Sequence, residues 1–595
     1  MATASLANRI PADVCPCPTL PRSALLSALL PCLLFLSPFS LFAHPQIVQS
    51  PDAQSDAPTS VHGRILNRLT KEPISRALVF SPDNRYAMLT DDRGRFEFKF
   101  PPPVPEPKDE QAPGANNVEW FRARQSRAIQ NARPGFFYVR KPGFLPNYNS
   151  AEGRLISGEQ ELVIYLDPES LIVGNVNLPG SEGDMRIRVA LYHREIREGQ
   201  EHWQQVKTFS TWADGEFRFS ELQAGVYKVG TEELLDRNPT FYPAGGQLFG
   251  FPPVFYPGVP DFASASSIQL AAGATVQLSL APARREYYPV KIPVANAGDG
   301  RAMNLNIYPL GRPGPGFSLG YNSSEQVIQG TLPDGNYTLQ ATTQGPAGST
   351  GLLNFSVQGR PNEAPAIALV ANTSIAVAVR EEFKSSASLF GDGPGEPEGD
   401  GSSPARQRQV NVQVLLQPLD DFGSAQTFMS EPVQGTREHT LIISGVQPGR
   451  YRVHVQSGAG YAASAAYGGS NLLRQPLVVG LGGASQPIEV TLRDDGASVD
   501  GKVEEAVEAH VYLLPLEDGS GEFREINSGP DGSFGLSQVP PGSYRVLAFN
   551  TRQSDLAYND PETMRKLESK GQVIHLDPGQ NEHLRLQLVE GGDAQ

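Results

Sequence analysis

A chain of 595 residues is long enough for several domains, and its net charge of -15, without a basic run, argues against nucleic acid as a partner. The 59 glycines and 52 prolines predict many turns, but their share is below the roughly 25–30% that is typical of disordered chains. The three cysteines are Cys15, Cys17 and Cys32, so a chain that loses its N-terminal segment has no disulfide, thiolate metal site or cysteine nucleophile.

Residues 1–43 are predicted to be an export signal. Arg22 precedes an apolar run over residues 24–43, and Ala43 is a small residue suited to cleavage. An uncleaved anchor is the alternative, since about twenty apolar residues can span a bilayer. Two prolines interrupt the run and favour cleavage, after which we expect no membrane span. Residues 44–59 are predicted to be a linker.

Residues 60–168 are predicted to form a first β-sandwich of short alternating strands. The segment contains the motifs G-x-[IV], P-I-x-x-A-x-V and T-D-x-x-G-x-F-x-F. They are matched by Gly63, Ile65, Pro73, Ile74, Ala77, Val79, Thr90, Asp91, Gly94, Phe96 and Phe98. On these residues the segment resembles the carboxypeptidase regulatory-like domain. The resemblance implies a transthyretin-like seven-stranded sandwich and says little about activity.

A helical insertion in the first sandwich is predicted at residues 117–132, which lack proline and contain good helix formers. Its basic residues and Trp120 could bind an anionic partner. The favoured alternative is a surface helix that covers an edge of its own sandwich with Trp120 and Phe121, because charged helix faces are usually solvated.

A second sandwich is predicted at residues 169–284, with a long hairpin formed by residues 186–192 and 203–212. The intervening residues 193–202 include two histidines and several carboxylates. Their spacing does not match known zinc motifs, so a charged hairpin tip is favoured over a metal site. Two closing strands are predicted within residues 261–280.

Residues 241–258, FYPAGGQLFGFPPVFYPG, are predicted to be irregular because proline and glycine recur throughout. If the protein binds glycans, its sugar-stacking rings are expected here. The candidate rings are Phe241, Tyr242, Phe249, Phe251, Phe255 and Tyr256. The favoured alternative is that they cover the open edge of the second sandwich, because soluble proteins rarely expose large apolar patches.

A tyrosine corner recurs at intervals of about 100 residues, which is the usual size of a β-sandwich domain. Each occurrence has an apolar residue, a glycine three positions later and a tyrosine two positions after that. The occurrences are Leu222-Gly225-Tyr227, Leu332-Gly335-Tyr337, Val446-Gly449-Tyr451 and Val539-Gly542-Tyr544. In Greek-key sandwiches such a tyrosine bonds its hydroxyl to a nearby backbone group, so these residues are predicted to be structural.

Three further sandwiches are therefore predicted, at residues 285–372, 373–494 and 495–590. In the third, residues 291–294 are expected to pair with residues 305–308. The fourth contains a low-complexity loop at residues 385–406, whose acidic residues are predicted to be solvated. The fifth resembles the first, and its residues 561–570 are predicted to be a helix with Asp560 as N-cap and Gly571 as terminator.

The predicted fold class is all-β, a tandem array of immunoglobulin-like or transthyretin-like (prealbumin-like) antiparallel β-sandwiches. The resemblance extends over residues 61–590. Together with the segment D-P-E-x-x-x-x-x-E-S-x-G at residues 560–571, it is to bacterial chains with tandem regulatory-like domains.

No nucleophile elbow, P-loop, dinucleotide fingerprint or C-x-x-C is present, so we expect neither an enzyme nor a cofactor or metal. The favoured function is that of a non-catalytic protein, periplasmic, surface-exposed or secreted. It would be a rod of sandwiches that presents loops to a protein partner or spaces another module. Carbohydrate binding is the alternative, because the sandwich type also resembles starch-binding-like domains, and an uncharacterised enzyme comes third. The oligomeric state is left open.

Overall fold

The computed structural model describes residues 60–101, 133–147, 161–180, 185–237, 247–298, 302–344, 348–384, 412–422, 426–433, 440–483, 486–504, 509–516, 523–550, 552–553 and 556–589. The chain divides into two units, Met1–Ala57 and Pro58–Gln595, and every described residue belongs to the second. The predicted signal, the linker, the helix at residues 117–132 and the loop at residues 385–406 lie outside the described residues.

The first sandwich (residues 60–166) has two three-stranded sheets, β4-β1-β6 and β3-β2-β5. Its strands are β1 (Ser60–Asn67), β2 (Leu78–Phe80), β3 (Ala87–Leu89), β4 (Arg95–Lys99), β5 (Tyr138–Arg140) and β6 (Leu162–Leu166). Alternation along β4 turns Phe96 and Phe98 inward. The ring of Phe98 stacks on Phe137 at 4.7 Å, which closes the core between the sheets.

The second sandwich (residues 170–280) is built from sheets β10-β7-β15 and β14-β11-β8-β9. The strands in this part of the chain are β7 (Ser170–Val176), β8 (Arg188–Arg197), β9 (Gln200–Ser210), β10 (Glu216–Leu222), β11 (Gly225–Thr231), β12 (Leu234–Leu235), β13 (Leu248–Phe251), β14 (Ile268–Leu270) and β15 (Thr275–Leu280). The two predicted closing strands are present as β14 and β15, and they join opposite sheets.

The third sandwich (residues 285–371) contains β16 (Arg285–Ala295), β17 (Met303–Pro309), β18 (Gly320–Asn322), β19 (Val327–Pro333), β20 (Gly335–Thr343), β21 (Ser349–Val357), β22 (Asn362–Glu363), β23 (Ile367–Ala368) and β24 (Val370–Ala371). The predicted pairing of residues 291–294 with 305–308 is wrong. Strand β16 pairs with β19 and β17 pairs with β20, so these two segments belong to opposite sheets. Ile292 and Ile307 both point into the core, and they face each other across it rather than along a ladder.

The fourth sandwich (residues 373–493) has one continuous nine-stranded sheet, β31-β30-β33-β25-β28-β27-β26-β29-β32, around one core. Its strands are β25 (Thr373–Glu382), β26 (Val412–Pro418), β27 (Phe428–Pro432), β28 (Thr440–Val446), β29 (Gly449–Ser457), β30 (Tyr461–Tyr467), β31 (Ser470–Asn471), β32 (Leu477–Val479) and β33 (Ile488–Arg493). Strand β27 pairs with both β26 and β28 and so joins the two halves of the sheet.

The fifth sandwich (residues 497–589) contains β34 (Ala497–Val503), β35 (His510–Pro515), β36 (Arg524–Asn527), β37 (Ser533–Val539), β38 (Gly542–Phe549), helix α1 (Pro561–Lys566), β39 (Gln572–Leu576), β40 (Asn581–Leu586) and β41 (Leu588–Val589). Its sheets are β37-β34-β40 and β36-β35-β38-β39, with β41 beside β38. Asp560 caps α1 and Gly571 follows with a positive φ of 70°, as predicted, but the helix ends at Lys566 rather than at residue 570.

One pairing recurs in all five sandwiches. The first strand pairs in parallel with a late strand: β1 with β6, β7 with β15, β16 with β22 and β23, β25 with β33, and β34 with β40. Apart from β38 with β41, which is also parallel, the other strand pairs named above are antiparallel, and each sandwich has its own apolar core. The predicted class, a tandem array of β-sandwiches, is confirmed. The predicted domain boundaries remain a prediction.

Candidate functional site

The four corner tyrosines have the same surroundings. Each is buried, and each hydroxyl donates a hydrogen bond to the backbone carbonyl four residues earlier. The bonds run from Tyr227 to Gln223 (3.0 Å), Tyr337 to Pro333 (2.8 Å), Tyr451 to Gln447 (2.8 Å) and Tyr544 to Pro540 (2.6 Å). Burial raises the pKa of all four hydroxyls, so they stay protonated donors.

The glycine two residues before the tyrosine has a different constraint in each corner. A Cβ at Gly335 would lie 2.9 Å from the Tyr337 hydroxyl oxygen, so glycine makes room for the bond there, whereas a Cβ at Gly449 would make an ordinary contact of 3.5 Å with that of Tyr451. At Gly225 the nearest atom is Nε2 of His193, at 2.7 Å. Gly542 instead has a φ of 140°, which L side chains rarely adopt.

The aromatic run at residues 241–258 is not irregular throughout, and that prediction is wrong for β13. Residues Leu248–Phe251 form this strand, because the edge of β16 is open there and pairs Leu248 with Tyr287. Phe251 and Phe255 are 0% and 1% exposed, so neither ring has a face to offer a sugar. Tyr256 is half-buried against the core of the second sandwich. Phe241, Tyr242 and Trp120 lie outside the described residues.

Residues 233–236 and strand β13 couple the second sandwich to the third. Arg284 pairs with Asp236, and its guanidinium lies 4.4 Å from the ring centre of Phe249. The Ser318 amide donates to Glu233 at 3.1 Å. Burial raises the pKa of Glu233 to about 7, although the hydrogen bond from Ser318 acts in the opposite direction.

An aromatic joint connects the second sandwich to the fourth. Phe422, in the connection between β26 and β27, packs edge-to-face on Phe262 with ring centres 4.8 Å apart. Lys228 lies beneath this cluster, 4.8 Å from the ring centre of Trp203 and 4.7 Å from that of Phe262, and donates to the Phe262 carbonyl at 3.0 Å. Burial lowers the pKa of Lys228, while nearby carboxylates act against the shift.

Polar contacts hold the joint on both sides of Phe422. Nδ1 of His202 lies 2.6 Å from Oδ1 of Asp421, and the His202 side chain is 5% exposed. Asn306, from the third sandwich, donates its amide to the Phe422 carbonyl at 3.0 Å. One connection in the fourth sandwich therefore contacts the second and third sandwiches together.

The charged segment at residues 193–202 is mostly strand, so the prediction of a ten-residue hairpin tip is wrong. Strands β8 and β9 extend through it and leave Glu198 and Gly199 as the turn, with φ values of 51° and 66°. This turn docks on the fifth sandwich. The backbone amide of Asn559 donates to the Gly199 carbonyl at 3.1 Å, and its side chain donates to the Glu198 carbonyl at 2.5 Å.

The Glu198 side chain contacts the fourth sandwich. Its Oε1 lies 3.4 Å from Nε2 of His454. Burial alone would raise the pKa of Glu198, but the hydrogen bond to His454 and the positive charges of His454 and Arg452 outweigh it and hold the pKa below its usual value. The second sandwich thus contacts the fourth and fifth, which contradicts a rod in which only consecutive sandwiches touch.

The two histidines at the ends of the charged segment have separate surroundings. His193 packs on Tyr227 at 4.8 Å between ring centres, whereas His202 pairs with Asp421. Within the described ranges, no group of three or more His, Cys, Asp and Glu side chains is placed to hold a metal ion.

Two cavities of about 510 Å³ each lie next to these contacts. The junction cavity lies where the second, fourth and fifth sandwiches meet; Glu198, Arg452, Phe523 and Tyr558 contribute to its lining. The rings of Phe523 and Tyr558 stack there at 4.5 Å, with planes 2° apart. The edge groove lies between the fourth and fifth sandwiches and is lined by residues 454–458, 460–462, 473, 524 and 536–540.

No protein-family model matches this chain, and no curated protein matches it. Among solved structures it is similar to the Bacillus anthracis TIE protein (8% identity, 90% of this chain and 100% of that chain, TM-score 0.13). It is also similar to a streptococcal ancillary pilin (8%, 71% and 99%, TM-score 0.15) and to the RrgB pilus protein of Streptococcus pneumoniae (11%, 71% and 98%, TM-score 0.12). Similarities with TM-scores this low carry no argument about what this chain does.

In the part of the chain that the structure describes, no helix has the length and apolar character needed to cross a membrane. The apolar run at residues 24–43 lies outside that part.

Sequence reasoning did not identify the residues that join the sandwiches. Asp421 and Phe422 stand in the short segment PLDDFG after a strand, and the only signal was an aromatic residue in an otherwise polar turn. Asn559 stands directly before the helix cap Asp560, and nothing in that position points to a contact with the second sandwich. The contacts of Asn559 and Asp421 join residues 361 and 219 positions apart, a separation that a local pattern does not reveal.

Proposed function

We propose that this chain is a non-catalytic, exported protein of the bacterial cell envelope, in which sandwiches hold one another in place and together bind a protein partner. The observation that carries the proposal is the docking of the β8–β9 hairpin on two other sandwiches. Glu198 and Gly199 accept hydrogen bonds from Asn559, and Glu198 also pairs with His454. These contacts fix loops from different sandwiches relative to one another, as a binding scaffold requires.

The use of the ionisable groups supports a non-catalytic role. A catalytic base needs a free path to a bound substrate and a partner that orients it. Here His202 is buried against Asp421, and Lys228 lies under Trp203 and Phe262. Both side chains stabilise a joint between sandwiches.

Carbohydrate binding has less support, because two of the candidate rings, Phe251 and Phe255, are buried. Among the described candidates, Phe249 and Tyr256 keep partly exposed rings. Phe249 already lies against the Arg284 guanidinium.

The test is expression of the full chain, with its own N-terminal segment, in a bacterium. Mass spectrometry of the chain's first residue and cell fractionation should show that residues 1–43 are removed and that the protein lies outside the cytoplasm. An intact chain in the cytoplasm would contradict export. Photo-cross-linking in the envelope should then give a reproducible protein partner, and turnover of a peptide or glycan by the purified chain would contradict the non-catalytic role.

A further inference from the structure

The edge groove is bounded on one side by a strand that is only half paired. Strand β29 pairs with β26 from Tyr451 to Ser457, but on its other side β32 pairs only with residues 449–451. No residue of β26 lines the groove, so the groove lies on the side of β29 that faces away from β26. Among the described strands, none pairs with residues 455–457 on that side.

The opposite wall is formed by β37, the outermost strand of its sheet. Its ladder with β34 is irregular between Leu536 and Val539, and Gln538 has a positive φ of 55°. A bulge of this kind bends an edge and blocks regular pairing. Of the two strand edges at the groove, β29 is therefore the one that keeps a regular ladder.

The groove carries an arginine and no acidic residue on an acidic protein. Its lining includes Arg524 and contains no aspartate or glutamate, although the chain as a whole has a net charge of -15; His454 also lines it, but its Nε2 lies 3.4 Å from Glu198. Arg524 is exposed, and its side chain has no hydrogen-bond or ion-pair partner in the described part of the chain. This charge favours a ligand that bears carboxylates.

The groove also has apolar walls and a suitable size. Leu473, Tyr461 and Val539 are buried residues that border it. Its volume of about 510 Å³ lies within the usual range for binding pockets, roughly 300–1,000 Å³. An extended segment of three residues, about 10 Å long, matches positions 455–457 of β29, which pair with no described strand on the groove side.

We propose that the edge groove binds an extended, acidic peptide segment of a partner protein, which adds as a strand to β29. Backbone hydrogen bonds to residues 455–457 provide the attachment, and alternate side chains face Leu473 and Tyr461. A peptide carboxylate pairs with Arg524. This inference rests on the proposed function, since it specifies how the protein partner is held.

The test uses the full chain and a labelled nine-residue peptide that alternates Val and Glu. Fluorescence anisotropy should report binding, and hydrogen exchange should slow in fragments that cover residues 453–457. The same peptide N-methylated at every second residue should not bind, because it lacks half of its backbone donors. A version with Lys in place of Glu should bind at least about tenfold more weakly.

Two protein variants separate a local effect from a general change in charge. Arg524→Glu should weaken peptide binding about tenfold, whereas Arg585→Glu, an exposed site on β40 outside the groove lining, should leave it unchanged. Equal binding of the N-methylated peptide, unslowed exchange in β29, or no binding at about 1 mM peptide would overturn the inference. If one of these results is obtained and envelope cross-linking still finds a protein partner, only the edge groove is excluded as the binding site, and the proposed function stands.

Discussion

Gly199→Ala is expected to release the tip of the β8–β9 hairpin from the fifth sandwich. A Cβ at residue 199 would lie 2.8 Å from both the Asn559 amide nitrogen and Cδ2 of Tyr558, closer than real Cβ contacts allow. The two hydrogen bonds that Asn559 donates to the turn would then be lost. At about 0.5–1.5 kcal/mol each, their loss weakens docking by about 1–3 kcal/mol, or about 5- to 150-fold in the ratio of docked to released hairpin.

Hydrogen exchange followed by mass spectrometry can measure this release in the full chain. Fragments that cover residues 195–202 and 556–560 should exchange faster in the variant, by up to the same factor, because the Asn559 amide loses its acceptor. The β-sandwich cores should keep their protection, since no core residue is changed.

The matched control is Gly311→Ala. Gly311 has a φ of 70°, close to the 66° of Gly199, but a Cβ there would meet no atom within 4 Å. The Gly311→Ala variant therefore has an alanine in the strained left-handed conformation, but its Cβ collides with no neighbouring atom. If Gly199→Ala exchanges like the parent, or if Gly311→Ala opens the hairpin equally, the docking contact is not what holds the turn.

Three further predictions concern single side chains. Tyr544→Phe leaves the Pro540 carbonyl without its donor and should lower the free energy of unfolding, measured in a thermal melt, by about 1–3 kcal/mol. Peptide binding should be retained, and an unchanged melt would mean that the corner bond adds no stability. Glu233 has its pKa raised from 4.5 to about 7, so its stabilising contribution is complete below pH 4.5 and is lost as the pH rises through 7. Glu233→Gln should flatten the dependence of stability on pH in melts recorded from pH 4 to 8, and an unchanged dependence would exclude Glu233 as its source. Tyr256→Ala should lower stability by about 1–3 kcal/mol, less than a fully buried ring would, whereas weaker retention on polysaccharide at an unchanged melting temperature would favour glycan binding.

The sequence by itself determined the local elements of the sandwiches. Alternating apolar residues predicted strands such as β4, and the spacing of Gly542 and Tyr544 predicted a corner that the structure shows four times. Asp560 and Pro561 predicted where the helix begins. These features depend on contacts within a few residues or on a period of two, so the physical cause is local and readable in the chain.

Only the tertiary structure decided how strands and sandwiches are combined. The apolar face of β16 predicts burial equally well beside β17 or β19, and the choice depends on which strand lies in the same sheet. The ring of Phe255 would suit either stacking on a sugar or packing in a core, and in the structure it is buried within the second sandwich. Gly199 and Asn559 stand 360 positions apart, and their contact exists because folding brings two surface turns together. Such contacts between distant segments leave no periodic pattern in the sequence, because they form only when folding brings the two segments together.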